Sequence, residues 1–186
     1  WIARTTSKDL ILWSEAIDME LGGQARDLLL TNQFDPYVRA PHIYLGLPTR
    51  YLPGRRVLTD AEDRRIGTPT KWNYVNDCTD ILLVSAREGD NFQRSFMEAF
   101  VRPGADLQNW TSRANYAARG IVPTAERELS LYVKHHAGYP SNHVRRYVIR
   151  PDGFVSVQAP YEGGELVTRP FTFSGSKLSL NYATSA

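Results

Sequence analysis

The chain has 186 residues, of which 42% are hydrophobic, and it carries 22 Lys and Arg against 20 Asp and Glu. This composition indicates a folded domain that buries a core, and it excludes a disordered chain. The basic residues are scattered, so we do not expect nucleic acid as a partner. No run approaches the ~20 apolar residues of a membrane-spanning helix, and no membrane partner is expected.

The single cysteine and the two chain ends add little about location. Cys78 allows neither an internal disulfide nor a multi-thiolate metal site, so cysteine usage leaves the compartment open. No activating base is evident beside it, which predicts an inert thiol. The chain begins at Trp1 and stays strand-like over residues 178–182. We therefore expect both ends to be truncations.

Short apolar runs separated by Gly, Pro, Asn and Asp predict an all-β protein. Residues 41–51 are a predicted strand, and the charged stretch 59–65 is a predicted short helical turn. Residues 80–85 form a continuous apolar run, which predicts a central strand covered on both faces. An outer strand over 92–100 and a turn at 109–113 follow.

A second group of strands is predicted further along the chain. Residues 128–133 alternate apolar and polar side chains, and strands over 143–150 and 154–158 complete a four-strand meander. Asp152-Gly153 is a two-residue hairpin signal between the last two. Two four-strand groups, 41–110 and 116–158, are typical of propeller blades.

The sequence pattern changes after Pro160, where Gly163-Gly164 is followed by segments of alternating apolar and polar residues. We place a boundary there. Residues 1–160 are predicted to form about two to three blades of a β-propeller, too few to close a ring. Residues 161–186 are predicted to open a truncated C-terminal β-sandwich.

Three stretches carry a resemblance to one group of enzymes. The first is Thr6-Ser-Lys-Asp-Leu-Ile-Leu-Trp13, which contains a Ser-x-Asp-Leu-x-x-Trp phrase from Ser7 to Trp13. The second stretch spans 85–100, and the third runs from 146 to 165. They resemble the five-bladed β-propeller glycosidases, in particular glycoside hydrolase family 32 and related bacterial proteins. In that family the Ser and Asp of the first phrase tie a turn and the Trp packs between blades. The third stretch resembles the passage from the last blade into the C-terminal sandwich.

The resemblance implies a fragment of a propeller glycoside hydrolase that acts on a carbohydrate through carboxylate acid and base chemistry, without a cofactor. The Arg-Asp-Pro and Glu-Cys-Pro phrases of typical members are missing, and their nucleophile or base lies in an earlier blade. The fragment alone is therefore expected to be inactive. A non-catalytic carbohydrate-binding propeller and a structural interaction module stay open as alternatives.

The candidate catalytic residues are carboxyl groups. Charged residues follow the predicted buried strand at Arg87, Glu88, Asp90, Arg94 and Glu98. Phe96 and Glu98 would share a strand face, which would raise the pKa of Glu98 towards that of a general acid. Asp90 is a second candidate, and Glu128, at the start of an alternating strand, is a third. The alternative is that Arg87, Glu88, Arg94 and Glu98 form ion pairs on a blade surface. For Glu128 the alternative is that it simply faces water.

Further residues are candidates for substrate binding: Arg87, Arg94, Arg113, Asn115, Tyr116, Arg119, Trp72 and His42. Arg and Tyr side chains would hold sugar hydroxyls or a carboxylate, although packing between blades explains the stretch 113–119 equally well. Trp72 is the tryptophan expected to be exposed, whereas Trp13 and Trp110 are expected in the core. His42 is expected to be buried or to line a pocket. His135-His136, with His143 nearby, matches no strong metal motif, and no metal is expected.

Overall fold

The computed structural model describes residues 2–22, 27–71, 74–87 and 91–184. It divides into two compact units, residues 1–152 and 153–186. The protein is all-β, as the sequence predicts, with several antiparallel sheets, and none of the sheets in the described ranges closes into a barrel.

The described residues form thirteen strands: β1 Ala3–Arg4, β2 Ile17–Asp18, β3 Leu28–Leu29, β4 Phe34–Tyr37, β5 Ala40–Gly46, β6 Thr49–Leu52, β7 Cys78–Ile81, β8 Val84–Arg87, β9 Phe92–Gln93, β10 Tyr116–Ala117, β11 Val122–Ala125, β12 Glu128–His135 and β13 His143–Ile149. β1 pairs with β2, and β3-β6-β7 form a second sheet. The third sheet has the order β4-β5-β8-β9, and the fourth is built around β12.

Two of these sheets share one pair of bent antiparallel segments, residues 43–52 and 78–87. Gly46 lies opposite Val84 in the β5–β8 pair, and Thr49 lies opposite Ile81 in the β6–β7 pair, so the register is unbroken across the junction. Pro48 stands at the junction and has no N–H to donate, while its carbonyl still accepts a 3.0 Å hydrogen bond from the amide of Leu82. The chain therefore bends from one sheet into the other without a slip in pairing.

The apolar run at 80–85 lies at this bend. Ile81, Leu82 and Val84 are fully buried, which confirms that the run is covered on both faces. It does not form one central strand, because residues 82–83 leave the ladder between β7 and β8. Leu82 and Val84 pack with Leu29, Ala86 and Phe92 in an apolar cluster.

The fourth sheet is three strands wide. β13 pairs with β12 along its length, from Leu129 opposite Ile149 to His135 opposite His143. β10 and β11 lie end to end along the other edge of β12. The predicted alternation along β12 is confirmed by the burial of Leu129, Leu131 and Val133.

The helical turn predicted at 59–65 is confirmed as helix α1, Asp60–Ile66. Thr59 and Glu62 form a capping box, in which each side chain accepts from the other residue's backbone N–H. Short 3-10 helices occur at Tyr74–Asn76 and Leu107–Asn109. None of the helices in the described ranges is long and apolar enough to cross a membrane.

Two predicted strands are wrong. The outer strand predicted over 92–100 ends at Gln93, because the Arg94 side chain turns inward and donates a 2.8 Å hydrogen bond to the carbonyl of Met97. No strand forms over 154–158, and none appears elsewhere between 150 and 184, the end of the described chain. The Asp152-Gly153 turn therefore closes no hairpin, and the β-sandwich remains a prediction.

The Ser7–Trp13 phrase forms a turn held by its own polar side chains. The Asp9 carboxylate accepts hydrogen bonds from the amides of Ile11 and Leu12, at 2.9 and 2.8 Å, and the Ser7 hydroxyl accepts from Leu10 at 2.8 Å. The expected tie is present. Trp13 is more than half exposed, so its assignment to the core is wrong.

Candidate functional site

A cleft of about 260 Å³ opens between the sheet that contains β6 and β7 and residues 98–103. Six lining residues are charged or aromatic: Arg50, Arg55, Asp80, Glu98, Arg102 and Trp110. Arg50 lies opposite Asp80 in the β6–β7 pair, and Leu52 lies opposite Cys78. Opposite residues and every second residue point to one face of a sheet, which brings these four side chains to the cleft together.

The wall of the cleft is held by a chain of alternating charges. Arg50 donates two hydrogen bonds to the Asp80 carboxylate, at 2.9 and 2.7 Å, and lies 3.7 Å from Asp27. The other oxygen of Asp27 accepts from Arg94, which is 2% exposed. Burial lowers the pKa of Arg94, although a guanidinium stays charged at any physiological pH. This series of ion pairs fixes the backbone that leads to Glu98, because Arg94 also donates a hydrogen bond to the Met97 carbonyl.

Glu98 stands at the open side of the cleft. Its side chain is 79% exposed and pairs with Arg102, which is 61% exposed. The backbone after Glu98 is anchored to β7, since Phe100 donates to Ile81 at 2.7 Å and Ile81 donates to Val101 at 3.1 Å. The carboxyl is therefore positioned by its backbone while its side chain stays accessible to solvent.

Trp110 forms an aromatic wall of the same cleft. Its indole N–H donates a 2.7 Å hydrogen bond to the carbonyl of Gly104, which fixes the ring orientation. The ring is partly exposed, contrary to its expected place in the core. A fixed, partly exposed ring in a cleft is suited to stacking on a sugar.

Cys78 lines the cleft and is a free, buried thiol. Burial, reinforced by the negative charge of Asp80, raises its pKa to about 11. The thiol is therefore protonated at neutral pH, and the prediction of an inert cysteine agrees with this environment.

The charged cluster predicted at 87–98 is only partly brought together. Glu98 lines the cleft, whereas Arg94 is committed to Asp27 inside the protein. Arg87 is exposed at the end of β8. Glu98 does not share a strand face with Phe96, because β9 has already ended at Gln93. Glu88, Asp90 and Trp72 lie outside the described residues.

The predicted binding stretch 113–119 is dispersed among internal contacts. Arg113 stacks over the Tyr74 ring, 5.6 Å from its centroid, and Lys134 lies 4.9 Å from the centroid of Tyr116. Arg119 forms a bidentate pair with Asp35. These contacts favour the packing interpretation that the sequence left open.

Asn115 is fully buried and serves as a backbone support. Its amide donates to the carbonyls of Thr79 and Asn109, at 2.8 and 2.9 Å. Its backbone φ of 57° lies in the left-handed region, which Asn tolerates better than most residues. A side chain in this position cannot reach a substrate.

Glu128 and His42 also lie away from the cleft walls. The Glu128 carboxylate pairs with Arg146 and accepts a 2.7 Å hydrogen bond from Thr124, so it is engaged by its neighbours rather than by solvent alone. His42 is exposed on β5, so its expected burial is wrong.

The three histidines at the end of the fourth sheet form a cluster. The ring of His143 lies 5.6 Å from that of His135 and 4.7 Å from that of His136. His136 bonds to Asp106 at 2.7 Å and to Ser141 at 3.0 Å, and the Tyr147 hydroxyl lies 2.9 Å from His135. Within the described ranges no group of three or more His, Cys, Asp and Glu residues is arranged to hold a metal ion.

The sequence patterns do not predict most of the cleft. They give no indication of a site at Arg50, Arg55, Asp80 or Arg102. One signal was available. Arg50 and Asp80 each interrupt a short strand whose other residues are uncharged, and a charge in a buried strand requires a partner. The pairing register that joins them is a long-range property, which the sequence alone does not supply.

The chain matches no known protein family, and neither a curated protein nor a solved structure is significantly similar to it. The resemblance to the propeller glycosidases therefore stays a prediction, and the cleft itself is the guide to function.

Proposed function

We propose that the chain is part of a propeller protein of the glycoside hydrolase kind, and that its cleft binds a glycan. The observation that carries the proposal is the meeting of an exposed carboxyl, Glu98, a buried carboxylate, Asp80, and a fixed aromatic ring, Trp110, in one cleft. Glycoside hydrolysis uses two carboxyl groups, and sugars pack on aromatic faces.

The roles follow from the two environments. Glu98 is the proposed general acid, because its exposed side chain can reach a glycosidic oxygen. Asp80 is the second carboxylate, held by two hydrogen bonds from Arg50. The order β4-β5-β8-β9 supports the propeller part of the proposal, since a blade is a four-stranded antiparallel sheet.

Binding without hydrolysis is the second candidate. Both oxygens of Asp80 are occupied by Arg50, and Glu98 is the other carboxyl among the described lining residues. An engaged carboxylate is a poor nucleophile, and this observation favours a carbohydrate-binding module.

The test is hydrolysis of a panel of glycosides by the intact protein, together with calorimetric binding of the same sugars. Glu98→Gln should lower turnover by at least about 100-fold, the usual contribution of a general acid. Glu126→Gln, an exposed carboxyl in the turn before β12, is the matched control and should leave turnover unchanged. Unaltered turnover in Glu98→Gln would refute the catalytic assignment, and binding without turnover would select the second candidate.

Trp110→Ala tests the location of the site independently of catalysis. It should weaken sugar binding about 10-fold, which corresponds to one stacking contact. Trp13→Ala removes an exposed tryptophan at the 7–13 turn and serves as its control. Equal sugar affinity for wild type and Trp110→Ala would show that the sugar does not bind in this cleft.

A further inference from the structure

The cleft holds more positive charge than its own carboxylates use. Three guanidinium groups line it, from Arg50, Arg55 and Arg102. Arg50 is committed to Asp80 and Asp27. The other two, Arg55 and Arg102, are held less firmly, which leaves them available to a ligand.

Arg55 has no acidic partner within ion-pair distance in the ranges that the structure describes. It lies at the exposed start of the segment after β6, and its charge acts on the Cys78 thiol inside the cleft by lowering its pKa against the dominant effect of burial. An unpaired guanidinium directed at a cleft is a ready partner for an anion, because its planar donors match a carboxylate or a sulfate.

Among the residues that the structure describes, Arg102 is held by one exposed ion pair, with Glu98. Exposed pairs of this kind contribute little to stability, so a ligand can replace the Glu98 carboxylate at little cost. An anion that takes Arg102 also releases Glu98. Ligand binding would then free the carboxyl that the proposed function requires.

We infer that the sugar bound in this cleft carries an anionic group, a carboxylate or a sulfate, which is held by Arg55 and Arg102 while the ring stacks on Trp110. This inference rests on the proposed glycan function of the cleft. It adds the substrate class, because an anionic group can form charge-assisted hydrogen bonds with both guanidinium groups and a neutral sugar cannot.

The experiment is calorimetric titration of the intact protein with four probes: a galacturonic acid trisaccharide, its methyl ester, a sulfated galactose disaccharide and the same disaccharide without its sulfate. The free acid should bind at least about 10-fold more tightly than the ester, as expected for charge-assisted hydrogen bonds. The sulfated probe shows which anion is preferred. Tight binding of either anionic probe, lost on esterification or desulfation, supports the inference.

Arg55→Gln and Arg102→Gln should each reduce binding of the anionic probe about 10-fold, and Arg102→Lys should restore part of it. Arg127→Gln is the matched control, because Arg127 is an exposed arginine in the turn before β12. An equal loss in Arg127→Gln would indicate nonspecific attraction and overturn the inference.

The outcomes separate the inference from the proposal beneath it. If the neutral forms bind as tightly as both anionic probes, the anionic preference is wrong while the glycan cleft stands. If none of the charged or neutral sugars binds, the proposed function fails and the inference fails with it.

Discussion

Arg50 and Asp80 face each other across β6 and β7, and the guanidinium donates two hydrogen bonds, of 2.9 and 2.7 Å, to the carboxylate. Both side chains are largely buried. The same guanidinium lies 3.7 Å from Asp27, which in turn pairs with Arg94. One cross-strand pair therefore stabilises the sheet and also shapes the wall of the cleft.

Arg50→Met should destabilise the protein by about 3–5 kcal/mol, because the substitution leaves Asp80 without its partner in a buried site. Urea denaturation measures the change. Arg39→Met, which removes an exposed pair with Asp152, is the control and should cost less than about 1 kcal/mol. A loss in Arg50→Met no larger than in the control would mean that water already screens the buried pair.

The sequence predicts local features well where a few neighbouring residues determine them. Helix α1 needs only Thr59 and Glu62 at its start, and β12 needs only its alternating side chains. The burial of residues 81–84 follows in the same way from their apolar character. Each of these signals lies within one short segment.

The cleft follows from contacts between distant segments, which explains why its residues escaped prediction. Arg50 and Asp80 meet through strand register, and Asp27 joins them from a third part of the chain. Conversely, Arg94 looks like a surface charge in sequence but is nearly fully buried. A charge pattern alone does not distinguish a buried arginine from an exposed one.

Cys78 should make stability fall at alkaline pH. Burial raises its pKa from 9.0 to about 11, so the unfolded state loses its thiol proton first as the pH rises above 9. The free energy of unfolding then falls by about 1.4 kcal/mol per pH unit, or by roughly 2–3 kcal/mol by pH 11. The free energy of unfolding, measured for wild type and Cys78→Ala from pH 8 to 11, should show a steeper decline in wild type. Parallel profiles would contradict the raised pKa.

Asp9 should hold the 7–13 turn only while it is ionised. Hydrogen bonds from the amides of Leu12 and Ile11, with help from Ser7, lower its pKa below 3.8. Asp9→Ala should therefore speed hydrogen exchange at these two amides and leave the β12 amides unchanged. In wild type the protection should persist down to pH 4 and disappear only below it. Equal exchange rates in Asp9→Ala and wild type would show that the backbone holds the turn by itself.

His135 should make the protein sensitive to acid. Burial, with the positive charges of Arg145 and the neighbouring histidines, lowers its pKa from 6.5 to about 4. The unfolded state therefore binds the proton first as the pH falls below 6.5, and roughly 3 kcal/mol of stability is lost between pH 6.5 and pH 4.

Denaturation of His135→Gln over that range should show a shallower dependence on pH, whatever its stability at neutral pH, because the titrating group is gone. His42→Gln removes an exposed histidine and should keep the wild-type slope. The comparison of slopes is independent of any packing defect that the substitution introduces. A wild-type slope retained in His135→Gln would assign the acid sensitivity to other groups and contradict the lowered pKa.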